Sequence, residues 1–246
     1  MIEDAFTAVV TGALARSGFV PPAVNEARTF VFACRPLLVH VPVAAQLLDA
    51  GETGRAERFR FEHDRTTYIL AHAVWRIALA MCLDVAPTKV SLIAAPAGQP
   101  TLPGTGLSTS LSHASDWVAI AVCRAATTGI DIEQEPSRVR LGDMIDTICT
   151  PAEMARVMSL EAAGRGTALL ALWTRKEALL KAFGVGLGVD PTTIDAGTDD
   201  LVASPSIDGM FPACWIGNLD LPLGLVGAFA VPTSVVRVEQ HRLVWD

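Results

Sequence analysis

Gly129-Ile130-Asp131-Ile132-Glu133 and, a helix-length later, Trp173-Thr174-Arg175-Lys176-Glu177-Ala178-Leu179-Leu180-Lys181 decide the reading of this 246-residue chain. In the first stretch the apolar Ile130 and Ile132 alternate with the acids, so a strand here turns both carboxylates to one face. Two residues of strand span about 6.6 Å, which lets both side chains converge on one cation. In the second stretch Trp173, Glu177 and Lys181 recur every fourth residue, which on a helix stacks them along one face with a carboxylate beside an ammonium. Three carboxylates and the ammonium groups of Lys176 and Lys181 are thereby offered together, a surface suited to a hard cation and an anionic phosphate ester.

Each stretch alone has a plainer reading. Asp131 and Glu133 can be the solvent face of a half-buried edge strand. Glu177 and Lys181 can be an ordinary helix-surface pair worth about 0.3–0.5 kcal/mol. Ser110-Leu111-Ser112-His113, upstream, can be a satisfied polar pair near a strand, a nucleophile with its base, or a set of phosphate ligands. A serine hydrolase is disfavoured, because Gly106-Leu107-Ser108-Thr109-Ser110 lacks the second glycine of the nucleophile elbow. Neighbouring Ser112 and His113 would also face apart on a strand.

Composition narrows the classes. With 51% hydrophobic residues the chain has ample material for a core, and its mean hydropathy is +0.40. The apolar run from Ala5 to Ala15 is interrupted by Thr7, Thr11 and Gly12 and preceded by Glu3 and Asp4, so neither a secretory leader nor a membrane span is expected. Five scattered cysteines without a C-x-x-C pair favour reduced thiols, hence a cytoplasmic protein, over disulfides or zinc. A net charge of -7 argues against nucleic acid as partner. All eight basic residues before position 80 are arginines, four of them between 55 and 65, a cluster able to grip a phosphorylated ligand or, equally, to be a solvated face. Lysine is kept only at Lys89, Lys176 and Lys181, which hints at a need for a compact ammonium in the second stretch.

Hydrophobic spacing predicts an extended run over Leu37 to Val41, a helix-like stretch from Val43 to Asp49 and a long amphipathic helix from Asp64 to Leu83. Val90 to Ala94 is strand-like, Pro96 to Gly106 reads as loop, and Trp117 to Cys123 is strongly β-prone. Helices follow over Leu141 to Ile148 and Pro151 to Ser159. A long helix then ends near Phe183, where Gly184, Gly186 and Gly188 stop it. Strands are expected over Asp199 to Ala203, Ala213 to Gly217, Leu225 to Ala230 and Arg237 to Val244, which implies antiparallel sheet rather than βαβ alternation.

The two opening stretches, with the Ser-His segment before them, resemble the 4′-phosphopantetheinyl transferases of the two-lobed, surfactin-synthetase-activating type. That family's signatures read approximately G-[IV]-D-[IV]-[ED] and [FW]-[ST]-x-K-E-[AS]-x-x-K, and both stand here in order. The resemblance implies an α+β fold of two similar lobes with pseudo-twofold symmetry, each a long helix packed on a small, mainly antiparallel sheet. Residues 1–125 would form the first lobe and residues 126–246 the second. It implies a transferase that moves the 4′-phosphopantetheine group of coenzyme A to a serine of an apo acyl or peptidyl carrier protein, releasing adenosine 3′,5′-bisphosphate. Asp131, Glu133 and Glu177 would hold Mg²⁺. Glu177 would act as base, and Lys176 and Lys181 would neutralise the phosphates. Coenzyme A would be held by Arg55, Arg58 and Arg65, by Ser110, Ser112 and His113, and by the Gly98-Gln99-Pro100 loop. Relatives usually carry a base where Gln99 stands. A monomer is expected. Two rival readings are a metal-dependent nucleotide phosphohydrolase using the same acids and a catalytically silent coenzyme A-binding module.

Overall fold

A computed structural model describes residues 5–95, 98–137, 141–197, 201–203 and 212–245 of the chain. The helices are α1 (Ala5–Arg16), α2 (Val41–Ala44), α3 (Ala50–Ala56), α4 (Glu62–Leu83), α5 (Ile145–Ile148), α6 (Pro151–Ser159) and α7 (Ala162–Phe183). The strands are β1 (Glu26–Ala33), β2 (Ile93–Ala94), β3 (Pro100–Thr101), β4 (Ser108–Ala114), β5 (Trp117–Cys123), β6 (Gly129–Gln134), β7 (Leu201–Val202), β8 (Cys214–Asn218), β9 (Leu225–Pro232) and β10 (Arg237–Arg242). The α+β class expected from the sequence holds.

The strands form two sheets, one ordered β10-β1-β5-β4-β3-β2 and the other β6-β9-β8-β7. On β5, side chains alternate between two cores. Val118, Ile120 and Val122 join Phe30, Phe32 and the buried face of α4, whereas Ala119, Ala121 and Cys123 meet Ile130, Ile132 and Val231 from the second sheet. A third core packs Leu179, Ala182 and Phe183 of α7 against Ile216 and Ala228. Since Ile130 and Ile132 face the first sheet, period-two alternation turns Gly129, Asp131 and Glu133 toward the other face of β6.

Helix ends follow local chemistry. Asp49 with Glu52 and Thr150 with Glu153 form capping boxes on α3 and α6, and Pro151 supplies the first-turn φ of α6. Gly184 closes α7 at φ 63°, a conformation that carries no Cβ penalty for glycine.

Two local expectations are corrected, and one strand is added. Residues 37–41 do not run extended: Arg35–His40 is a 3₁₀ helix leading into α2, with Pro36 and Pro42 at first-turn positions of the two elements. Strand β1, which the sequence reading did not name, lies between β10 and β5 in the first sheet. The last strand, β10, pairs parallel with β1 rather than within an antiparallel meander, so the C-terminal segment belongs to the first sheet. The expected strand over Asp199 to Ala203 is seen as β7, and Asp199 and Asp200 lie outside the described residues, as do Pro96 and Ala97 of the expected loop.

Among the described residues one helix, α4, is long and apolar enough to cross a membrane, and 78% of its apolar window is buried inside the protein's own core. Within it Arg76 is 1% exposed. Its guanidinium donates to Glu52 at 2.6 Å and to the Val90 carbonyl at 3.0 Å, and pairs with Asp49. Burial raises the Glu52 pKa, but hydrogen bonds from His72, the Asp49 amide and Arg76 outweigh it and hold the group below its ordinary 4.5. The folded-state pKa is thus depressed. Its stabilising contribution is complete above pH 4.5 and is lost as pH falls through the lowered value. Glu52→Gln should therefore lower the melting temperature at neutral pH and flatten its acid dependence as pH falls below 4.5. Thermal melts across that range check this, and an unchanged acid slope would contradict it.

Candidate functional site

The site forms where β6, α7 and β4 converge. Helix α7 lies directly on Gly129: a Cβ there would sit 1.8 Å from the Ala178 carbonyl oxygen and 2.7 Å from the Ala182 nitrogen. Glycine is required at this position by the close approach of backbones. The Thr127 hydroxyl donates to the Ala182 carbonyl, tying the strand entry to the end of the same helix. From β4, Ser110 accepts the Ile130 amide proton at 3.2 Å and Ser112 donates to Asp131 at 2.8 Å. Being two apart on a strand, both serines point at β6, and they join the two sheets.

Asp131 is the focus. Although β6 ends its sheet, Asp131 is only 5% exposed, so the solvent-facing edge reading fails here. Its Oδ1 accepts from Ser112 and, at 2.7 Å, from Lys181, whose ammonium also donates to the Ile130 carbonyl at 3.1 Å. Its Oδ2 is buried and has no hydrogen-bond partner among the described residues. A buried carboxylate oxygen left unpaired is costly unless something occupies it.

Glu177 and Glu133 stand within electrostatic reach of Asp131 and of each other. Burial, followed by the Asp131 charge, raises the pKa of both, and Lys181 opposes the rise. Among the described residues no three acidic, histidine or cysteine side chains are set closely enough to make a complete metal-ligand group. The donor set nevertheless suits a hard cation that prefers oxygen, of which Mg²⁺ is one. Mg²⁺ takes oxygen ligands, keeps several waters and is usually held by one or two carboxylates plus substrate phosphates rather than by an all-protein cage. The unpartnered Asp131 Oδ2 and two carboxylates pushed toward protonation by burial and then by the Asp131 charge match that requirement.

A cavity of about 820 Å³ opens beside this cluster. Arg55, Arg58, Gly98, Gln99, Pro100, Ser110, Ser112, His113 and Lys181 all line it. Ser112 and Lys181 both touch Asp131, so they link the cavity to the acids. His113 keeps much of its surface open, yet enough is covered that desolvation, then the Lys181 and His72 charges, hold its pKa below 6.5. Gln99 lines the cavity, but its amide donates to the Lys181 carbonyl at 2.8 Å and pins the loop to the end of α7.

Two expected site residues lie elsewhere. Lys176 is 0% exposed and points away from the acids. Its ammonium pairs with Glu153 at 2.7 Å and donates to the Pro191 and Ile194 carbonyls, each at 2.7 Å. Successive helix residues diverge by about 100°, so Lys176 cannot share the face of Glu177. Arg65 is outside the cavity lining, half-exposed beside Glu62 at 3.5 Å.

The sequence reading missed the aromatic wall. Tyr68, His72 and Trp75 line the cavity from α4, with Tyr68 and His72 stacked at 4.0 Å and Arg55 lying 5.9 Å above the Tyr68 ring. Their i, i+4, i+7 spacing was visible, but it is indistinguishable from a core stripe.

Comparison with known proteins finds likeness to one family over part of the chain. Residues 127–220, which hold β6, α7 and β8, match the model of the 4′-phosphopantetheinyl transferase superfamily. A phosphopantetheinyl transferase of Thraustochytrium is 34% identical over 57% of this chain and 55% of its own length. The 4′-phosphopantetheinyl transferase HetI of Nostoc is 30% identical over 58% of this chain and 62% of its own. A 4′-phosphopantetheinyl transferase of Bacillus subtilis is 24% identical over 70% and 77%. The matched region is thus about three fifths of the length of the first two of these curated relatives.

Proposed function

We propose that the chain is a member of the 4′-phosphopantetheinyl transferase superfamily, whose model residues 127–220 match, and that it transfers the 4′-phosphopantetheine group of coenzyme A to a serine of an apo acyl or peptidyl carrier protein. The observation that carries the reading is Asp131, which shares one oxygen between Ser112 and Lys181 at the cavity edge and leaves the other unpartnered. Coenzyme A would lie in the cavity, with Arg55 and Arg58 on its phosphates and the Ser112-His113 end of β4 near the 3′-phosphate. Asp131, Glu133 and Glu177 would hold Mg²⁺, and the bound ion would supply charge neutralisation to the pyrophosphate.

Transfer of this kind needs mainly positioning and charge stabilisation. Glu177, its pKa raised by burial and then by Asp131, is suited to accept the proton of the attacking serine hydroxyl. Lys181, fixed by Asp131 and the Ile130 carbonyl, neutralises charge developing on the leaving phosphate. Lys176 takes no direct part. The protein would act as a cytoplasmic monomer on polyketide or nonribosomal-peptide carriers, with no nucleic acid involved, and its two lobes would divide near residue 125 except that β10 returns to the first sheet.

The test is product analysis: adenosine 3′,5′-bisphosphate should appear in step with carrier modification and only when the carrier is present. Release of inorganic phosphate from nucleotides without a carrier would replace this reading with hydrolysis.

A further inference from the structure

We propose that Lys176 and Glu153 are positioning residues, a buried ion pair that fixes the rotation of α7 and so presents Glu177 and Lys181 to Asp131. This inference rests on the transferase reading above for its kinetic consequence, and on geometry for the rest. The Lys176 ammonium spends its three protons on Glu153 Oε2, the Pro191 carbonyl and the Ile194 carbonyl, so none is free for a ligand. Glu153 is 1% exposed. It accepts the Thr150 amide at 2.7 Å through Oε2 and the Ala196 amide at 2.8 Å through Oε1. One carboxylate therefore fastens α7, the start of α6 and the 190–196 segment together.

The opposite side of α7 is set by Gly129, where helix backbone meets strand backbone without room for a methyl group. Between these two fixed sides the helix cannot roll. At 100° per residue Glu177 lies about 100° and Lys181 about 140° around the helix from Lys176, so the buried pair dictates where the two functional side chains point. A shift of about 1 Å in such groups can reduce a rate about 100-fold.

Full-length Lys176→Met, Glu153→Gln and the double variant separate this role from phosphate binding. Removing one partner leaves a buried charge unpaired, whereas removing both does not. Lys176→Met alone should lower the melting temperature and cut kcat for transfer to an apo acyl carrier protein by about 10- to 100-fold. Its Kd for coenzyme A, by calorimetry, should stay within about two-fold of the parent, and the double variant should recover most of the melting temperature and of kcat. A double variant that melts like the parent yet binds coenzyme A tenfold more weakly would overturn the proposal, because Lys176 would then touch the phosphates.

If Lys176→Met does not fold, the double variant alone decides. If the parent transfers nothing, the function falls separately, and amide hydrogen exchange over 162–183 and 190–196 reads the clamp: faster in each single variant and restored in the double. Unchanged exchange in the single variants would refute it.

Discussion

Glu177→Gln is expected to lower kcat for phosphopantetheine transfer by about 10²- to 10⁴-fold, the range for removing a general base, while coenzyme A binding is largely retained. The substitution keeps the shape of the side chain but removes both its ability to take a proton and the charge it would offer to Mg²⁺. Stability should move the other way. Burial and the Asp131 charge hold the Glu177 pKa above 4.5, so at neutral pH the ionised form is disfavoured in the folded protein relative to the unfolded chain. The neutral glutamine removes that cost, and the melting temperature should hold or rise. Activity lost with stability kept is the signature of a residue held under electrostatic strain for its chemistry. A variant with full activity would remove Glu177 from the mechanism.

Gly129→Ala should destabilise the protein by about 3 kcal/mol or more, at or above the upper end of overpacking costs. Most overpacked sites relax by turning a side chain. Here the added methyl would meet the Ala178 carbonyl at 1.8 Å and the Ala182 nitrogen at 2.7 Å, both backbone atoms of α7. Relief requires the helix to move off β6, which also carries Glu177 and Lys181 away from Asp131. Denaturant unfolding followed by circular dichroism measures the loss, and a variant as stable as the parent would show that helix and strand are not in contact as described.

The secondary elements were legible because strong local signals agreed with tertiary demand. The alternation in Gly129 to Glu133 and the four-residue spacing in α7 both correspond to real faces, and Glu177 and Lys181 do meet Asp131 electrostatically. Lys176 shows the limit. Its place in the motif suggested phosphate contact, but its fate is set by Glu153, whose Thr150 capping box was readable only as a helix start. Strand β1 escaped, and β10, legible as a strand, was expected in an antiparallel setting, because their pairing joins residues some two hundred positions apart, which no local pattern encodes. Gln99 departs from the family's basic residue, and its hydrogen bond to the Lys181 carbonyl is a contact of the fold that composition cannot suggest.

Intact-protein mass spectrometry of an apo carrier protein, incubated with this protein, coenzyme A and Mg²⁺ beside a chelated control and an Asp131→Asn variant, tests the central claim most directly. The account predicts a gain of one phosphopantetheine group that vanishes on chelation and with the variant. No gain across several carrier types, although coenzyme A binds, would contradict it.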